Sequence, residues 1–146
     1  MNNYMRQSIE LAEKSGADVP VGAIIVKNGQ VIASAHNEKE QLNDPSAHAE
    51  ILAIRRAASV LGNWRLDNCE LYVTLEPCPM CAWTIIQSRI KAVYFGSFDS
   101  QYGALGSVLD LRKFGDGTNS KLKVFSGILE KECDNVIENF WKQKRI

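Results

Sequence analysis

His48, Cys78 and Cys81 are spaced as metal ligands, and Glu50, two residues beyond the histidine, adds a carboxylate that the metal does not need. The segments concerned are His48-Ala49-Glu50 and Pro77-Cys78-Pro79-Met80-Cys81. A structural zinc is normally closed by four protein ligands, whereas a catalytic zinc keeps three and leaves its fourth position to water. Here a Cys-x-x-Cys pair has a single histidine to join it. His36, the other histidine, has no metal-type spacing to any cysteine. The ligand set therefore predicts one Zn2+ per chain with an open position. Two thiolates cancel the charge of the ion, so its water is acidified less than in an all-imidazole site, where the pKa falls to about 7. A base must stand nearby. Glu50 suits that part, taking the proton of the water and handing it to a leaving group as a general acid and base.

The elements must bring these four residues together. Two residues apart in mid-helix, His48 and Glu50 would point to roughly opposite sides at 3.6 residues per turn, so they belong at a helix start. Asp44-Pro45-Ser46 supplies cap-type residues before an Ala-, Ile- and Leu-rich stretch, which predicts a helix from Ala47 to about Leu61. Pro77 and Pro79 do the same before Met80 to Ser88, because proline is tolerated in a first helical turn and disfavoured further in. Two helix N-termini then face one metal. Their partial positive charge favours thiolate at both cysteines.

With 146 residues, 45% of them hydrophobic, the chain reads as one domain over residues 1–146 with a core of ordinary size. Met1 to Gly16 carries Arg6, Glu10, Glu13 and Lys14, which marks an amphipathic helix and not a signal peptide. No apolar run approaches membrane-spanning length, so no membrane partner is expected. Four cysteines, two of them in the metal pattern, suit a reducing, cytoplasmic setting better than a disulfide scaffold, and leave Cys69 and Cys133 as buried thiols. Lys and Arg number 17 and so do Asp and Glu, so composition gives no support to nucleic-acid binding. Basic residues do gather locally, at Arg112, Lys113, Lys121 and Lys123 and again at Lys142, Lys144 and Arg145. A solvated loop and a solvated helix face account for them without further assumption.

Along the chain, Val19 to Val26 and Val31 to Ala35 are apolar runs broken by Lys27-Asn28-Gly29-Gln30, a hairpin signal. Cys69 to Leu75 predicts a strand that delivers the chain to the metal, Ala92 to Gly96 another, and Leu122 to Phe125 a weaker fifth. Cys133, Val136, Ile137 and Phe140 recur at helical spacing within about Glu130 to Lys144, which predicts a last helix with a core stripe. The Gly- and Ser-rich loops from Ser97 to Gly106 and from Gly115 to Ser120 need no function on composition alone. Alternation of strand and helix implies parallel crossovers. The fold predicted is α/β: a three-layer α/β/α sandwich around a mixed five-stranded sheet, with the metal at one end of the sheet.

H-x-E followed by P-C-x-x-C is an established signature of zinc nucleobase deaminases. Over nearly its whole length the sequence resembles the bacterial tRNA adenosine deaminases, members of the cytidine/deoxycytidylate deaminase superfamily that convert the wobble adenosine of a tRNA anticodon to inosine. The segments that carry the resemblance are Val19 to Ala23, Asp44 to Glu50, Leu71 to Cys81, Ser88-Arg89-Ile90 and Gly103 to Ser107. It implies a cytidine deaminase-like fold, with His48, Cys78 and Cys81 as zinc ligands and Glu50 as proton shuttle. Asn37 matches an asparagine that hydrogen-bonds the target base, although its position alone suggests a turn residue after a strand. Pro20, Ala49 and Leu75 match positions lining the base pocket, where packing under the metal is the plainer reading. Asp99 matches a residue near the substrate backbone. Phe140 matches an aromatic position on the last helix, where it also fits the core stripe. The resemblance further implies a tRNA anticodon stem-loop as partner and a homodimer sharing its surface.

Two departures stand out. Trp83 and Thr84 follow Cys81-Ala82 where relatives carry small residues, which bears on the dimer contact or the pocket rim. Phe98 precedes Asp99 where relatives often carry a basic residue, trading charge for stacking. Two rival functions share the same residues. A deaminase of free guanine, cytosine or a nucleoside needs the same metal site and no basic surface, which the zero net charge suits. A structural zinc in a binding module would want a fourth ligand.

Overall fold

The computed structural model describes residues 1–115 and 120–144. Its sheet has five strands, β1 (Gly22–Lys27), β2 (Gln30–His36), β3 (Cys69–Leu75), β4 (Ala92–Ser97) and β5 (Lys123–Phe125), in the order β2-β1-β3-β4-β5. β1 lies antiparallel to both of its neighbours. The β3–β4 and β4–β5 pairs are parallel. The hairpin between β1 and β2 turns at Asn28 and Gly29, whose φ values of 52° and 75° suit the two-residue turn that matches strand twist. Among the described residues the helical elements are α1 (Asn2–Ala12), α2 (Lys39–Leu42), α3 (Ala49–Leu61), α4 (Pro79–Gln87), a 3-10 turn (Leu111–Lys113) and α5 (Glu130–Lys144).

Strand residues alternate between two apolar layers. Ala23, Ile25, Leu71, Val73, Val93 and Phe95 face the larger core under α3 and α4, while Ile24, Val26 and Tyr72 join Met5 of α1 and Cys133 of α5 on the other face. A sheet covered on both sides needs apolar residues at every strand position, which is why these strands read as continuous runs. The result is the expected three-layer α/β/α sandwich on a mixed five-stranded sheet. Gly22 is required where α1 crosses β1, since a Cβ there would sit 1.9 Å from the backbone oxygen of Ser8. Tyr72, Tyr94 and Phe125 are partners across β3, β4 and β5 and stack at centroid separations of 4.4 and 4.8 Å, tying the short edge strand to the sheet.

Four local expectations are corrected. The second long helix begins at Ala49 and not at Ala47, because the Asp44 carboxylate accepts the Ser46 N–H (2.8 Å) and hydroxyl (2.7 Å) and closes a turn instead of capping a helix. α2 and the 3-10 turn carry no strong apolar period and were not expected. β1 starts at Gly22 instead of Val19, leaving Val19 to Val21 as an extended lead-in beside the site. The stripe of α5 is core only at Cys133; Val136, Ile137 and Phe140 are half-buried, Ile137 on the face turned to the cleft. Of the loop from Gly115 to Ser120, residues 116–119 lie outside the described residues, as does Arg145.

Candidate active site

His48 is the N-cap of α3 and Cys78 the N-cap of α4, each in extended backbone conformation at the point where a helix begins. That geometry explains the i, i+2 spacing. His48 leaves the chain before the helical twist sets in and Glu50 after it, so both turn toward one cleft. Cys81 lies one turn into α4 and is fully buried. The strands do the delivering: β3 ends at Leu75, three residues before Cys78.

The ligand atoms of His48, Cys78 and Cys81 all lie within 4.8 Å of one another. Nδ1 of His48 stands 3.7 Å from Sγ of Cys78 and 3.5 Å from Sγ of Cys81. Tetrahedral zinc with ordinary Zn–N and Zn–S bonds requires an N···S separation of about 3.6 Å. The residues therefore fit the ion. Glu50 is not part of this ligand group, and its carboxylate stays free for proton transfer. In the zinc-free chain the thiol pair is polarised: the hydrogen bond from Cys81 holds Cys78 down at about 4, and the same bond with burial keeps Cys81 protonated. Zinc loading therefore displaces a proton from Cys81. Burial pushes the Glu50 carboxyl up to about 7, with the neighbouring His48 opposing the shift. His48 is raised chiefly by its hydrogen bond with Cys78.

His48, Glu50 and Cys78 open onto a cleft of about 620 Å³, within the range that accepts a small molecule or a single nucleotide. Asn37, Leu75 and Asp99 line it. Asn37 is pinned in place: its Nδ2 donates to the Val19 carbonyl and its Oδ1 accepts the N–H of Ala49, both at 2.8 Å. An amide has two hydrogens and two lone pairs, so one of each remains for a ligand. This second bond also occupies a donor of the first turn of α3 that no capping side chain serves. Asp99 directs Oδ1 into its own loop, accepting from the N–H groups of Gln101 and Tyr102 at 3.0 Å each.

Pro20 and Ala49 are buried behind the cleft and do not line it, and Phe140 lies outside the lining as well. α5 instead presents Asp134, Ile137, Glu138 and Trp141, a face three to four residues apart that excludes Phe140 by helical phase. Phe140 packs edge-on to Trp141, with the Lys144 ammonium 5.4 Å from its ring centroid. Trp83 is also away from the cleft, meeting Phe114 edge to face at 5.4 Å. Lys39, Glu76 and Trp141 line the cleft without having been singled out in the sequence. Only a helical phase tied to the fold would have found Trp141, and Lys39 and Glu76 carry no spacing signal.

The zinc-binding region of cytidine and deoxycytidylate deaminases matches residues 1–97. A tRNA-specific adenosine deaminase of Bacillus subtilis (strain 168) is 43% identical over 144 residues, 97% of this chain and 89% of its own length. The chain belongs to the tRNA-specific adenosine deaminases. A solved structure from a study of A-to-I editing by tRNA:A34 deaminases at the wobble position of transfer RNA superposes with a TM-score of 0.89 and 38% identity. It covers 93% of this chain and 99% of its own. A guanine deaminase from Bacillus subtilis is more distant in shape, with a TM-score of 0.64 at 34% identity over 80% of this chain and 84% of its own. The site is therefore that of a tRNA adenosine deaminase, a zinc-dependent hydrolase, and His48, Cys78 and Cys81 are the group that could hold one zinc ion.

Proposed function

We propose that this chain, as one catalytic domain over residues 1–146, hydrolyses the wobble adenosine of a tRNA anticodon to inosine. Water adds at C6 of the adenine, ammonia leaves and inosine remains. A zinc ion held by His48, Cys78 and Cys81 supplies, when bound, an activated water as the nucleophile. Glu50 would take one proton of that water and deliver it to the ring nitrogen beside C6, and would then carry the remaining hydroxyl proton to the departing amino group, so that both protons of the water are accounted for in inosine and ammonia. Asn37 orients the base with its remaining donor and acceptor, and Leu75 packs against it. Pro20 and Ala49 support this pocket from behind, and Asp99 shapes the loop that meets the substrate backbone. The single observation carrying the proposal is a ligand set with tetrahedral spacing beside a carboxylate outside that set, in a chain aligned with tRNA deaminases over 97% of its length.

The charge of the cleft supports this reading. Glu50, Glu76, Asp99, Asp134 and Glu138 line it against one cation among the described residues, Lys39. Such a lining repels phosphate and accepts the edge of a base, so the adenine goes in and its backbone stays at the rim. Anticodon loops present unstacked bases, which keeps the cost of flipping one small. An anticodon stem-loop is therefore expected to be deaminated while free adenine, guanine, cytosine and their nucleosides are not, read by ammonia release and by inosine in the product. Turnover of free guanine with no action on the stem-loop would overturn the assignment.

An exposed apolar face supports a homodimer. Met80 and Trp83 of α4 and Phe114 after the 3-10 turn are 38%, 38% and 64% exposed, an unusual run of large apolar groups for a free surface. Sedimentation at micromolar concentration should give twice the chain mass, and Trp83→Glu should shift it to monomer. A wild-type monomer under those conditions would reject the dimer. Among the described residues no helix is long and apolar enough to cross a membrane. All four cysteines are free, which suits the cytoplasm.

A further inference from the structure

Glu76 is 2% exposed, and no lysine, arginine or histidine among the described residues forms an ion pair with it. A buried carboxylate without a cation needs donors. They come from one place, the loop that follows β4. Oε1 accepts the N–H of Asp99 at 3.1 Å and the Ser107 hydroxyl; Oε2 accepts the N–H groups of Leu105 at 3.2 Å and Ser107 at 3.0 Å. Both ends of the loop, Asp99 on one side and Leu105 and Ser107 on the other, are thus gathered on a single side chain. Gly103 makes room for it, since a Cβ there would stand 2.5 Å from Glu76 Oε1.

Between those anchors the loop carries Ser100, Gln101 and Tyr102 along the cleft wall, with Phe98 and Asp99 at its start. Phe98 and Tyr102 are 49% and 65% exposed, so the loop displays aromatic faces where an incoming nucleotide must pass. Phe98 rests edge to face on the buried Phe95 ring at 5.3 Å. We propose that Glu76 is a positioning residue, whose carboxylate clamps the loop 98–107 into the shape that receives the substrate. The clamp acts on binding and not on the chemical step, and it rests on the reading of the cleft given above. A carboxylate is needed because it is acceptor only: all four of its partners donate, and an amide would turn N–H groups against N–H groups.

Glu76→Gln tests this with an anticodon stem-loop as substrate, measuring kcat, KM and zinc content together. The expected result is a KM raised at least about tenfold with kcat and one zinc per chain kept within about twofold. An unchanged KM, or a lost kcat at unchanged KM, would overturn the clamp, the latter placing Glu76 with its neighbour Cys78 in the metal site. Ser107→Ala removes one donor from a residue outside the cleft lining and should raise KM about threefold at unchanged kcat. If Glu76→Gln fails to fold, Ser107→Ala decides alone, an unchanged KM rejecting the proposal. A wild-type chain inactive on the stem-loop would reject the functional reading instead, so the two failures are distinguishable.

Discussion

Glu50→Gln is expected to lower kcat by about 10²- to 10⁴-fold, the usual contribution of a positioned acid and base, while zinc stays at one per chain. The amide keeps the size and polarity of the side chain and loses only the ability to carry a proton back and forth. Because Glu50 stands outside the ligand group, coordination should survive. Loss of zinc together with turnover would instead make Glu50 a ligand and sink the shuttle. The same variant should show what the site costs the fold. Burial raises the Glu50 carboxyl from 4.5 to about 7, so in the zinc-free chain the stability associated with its neutral form is complete below pH 4.5 and is lost as pH rises through 7. Zinc-free Glu50→Gln should therefore gain on zinc-free wild type between pH 5 and pH 8, by on the order of 2 kcal/mol, measured as the pH dependence of the two melting temperatures.

Cys81→Ser should abolish both activity and zinc binding. Its sulfur is fully buried and stands 3.5 Å from Nδ1 of His48, within the ligand group. A serine hydroxyl is too weakly acidic to serve as the ligand. Two ligands hold zinc far more weakly than three. Zinc at a thousandfold excess over its Kd contributes about 4 kcal/mol to the folded state, so the variant should also melt roughly 10 °C lower than the zinc-loaded protein. Metal analysis, turnover and melting should fall together here, whereas Glu50→Gln should separate turnover from the other two. A Cys81→Ser protein with full zinc and activity would remove it from the ligand set.

The proposed clamp at Glu76 and the roles of Glu50 and Cys81 divide one short stretch of structure by function. Cys81 holds the metal, Glu50 moves the proton, and Glu76 shapes the entrance. Glu76 is only two residues from a ligand in sequence, yet its side chain points away from the metal group and into the loop after β4. Loss of Glu76 should consequently appear in KM, and loss of either of the others in kcat.

The candidate ligand set, the spare carboxylate and the succession of the five strands and four longer helices were determined by the sequence itself, because each depends on residue type and short-range spacing. His48 with Glu50 demands a helix start, a Pro-Cys-Pro run supplies another, and Asn28-Gly29 between apolar runs makes a hairpin. Other features depended on contacts between distant segments. That Asp44 closes a turn and leaves the start of α3 to Asn37 could be decided only once β2 had brought Asn37 beside Ala49. Trp141 and not Phe140 reaches the cleft because the rotation of α5 is set by the burial of Cys133 against the sheet, a constraint that a helical period cannot supply. Glu76 read as an ordinary residue beside a metal motif until the loop returned 23 to 31 positions later to surround it with donors. Local chemistry is written in neighbouring residues; hydrogen bonds and burial across long separations exist only when the chain has folded.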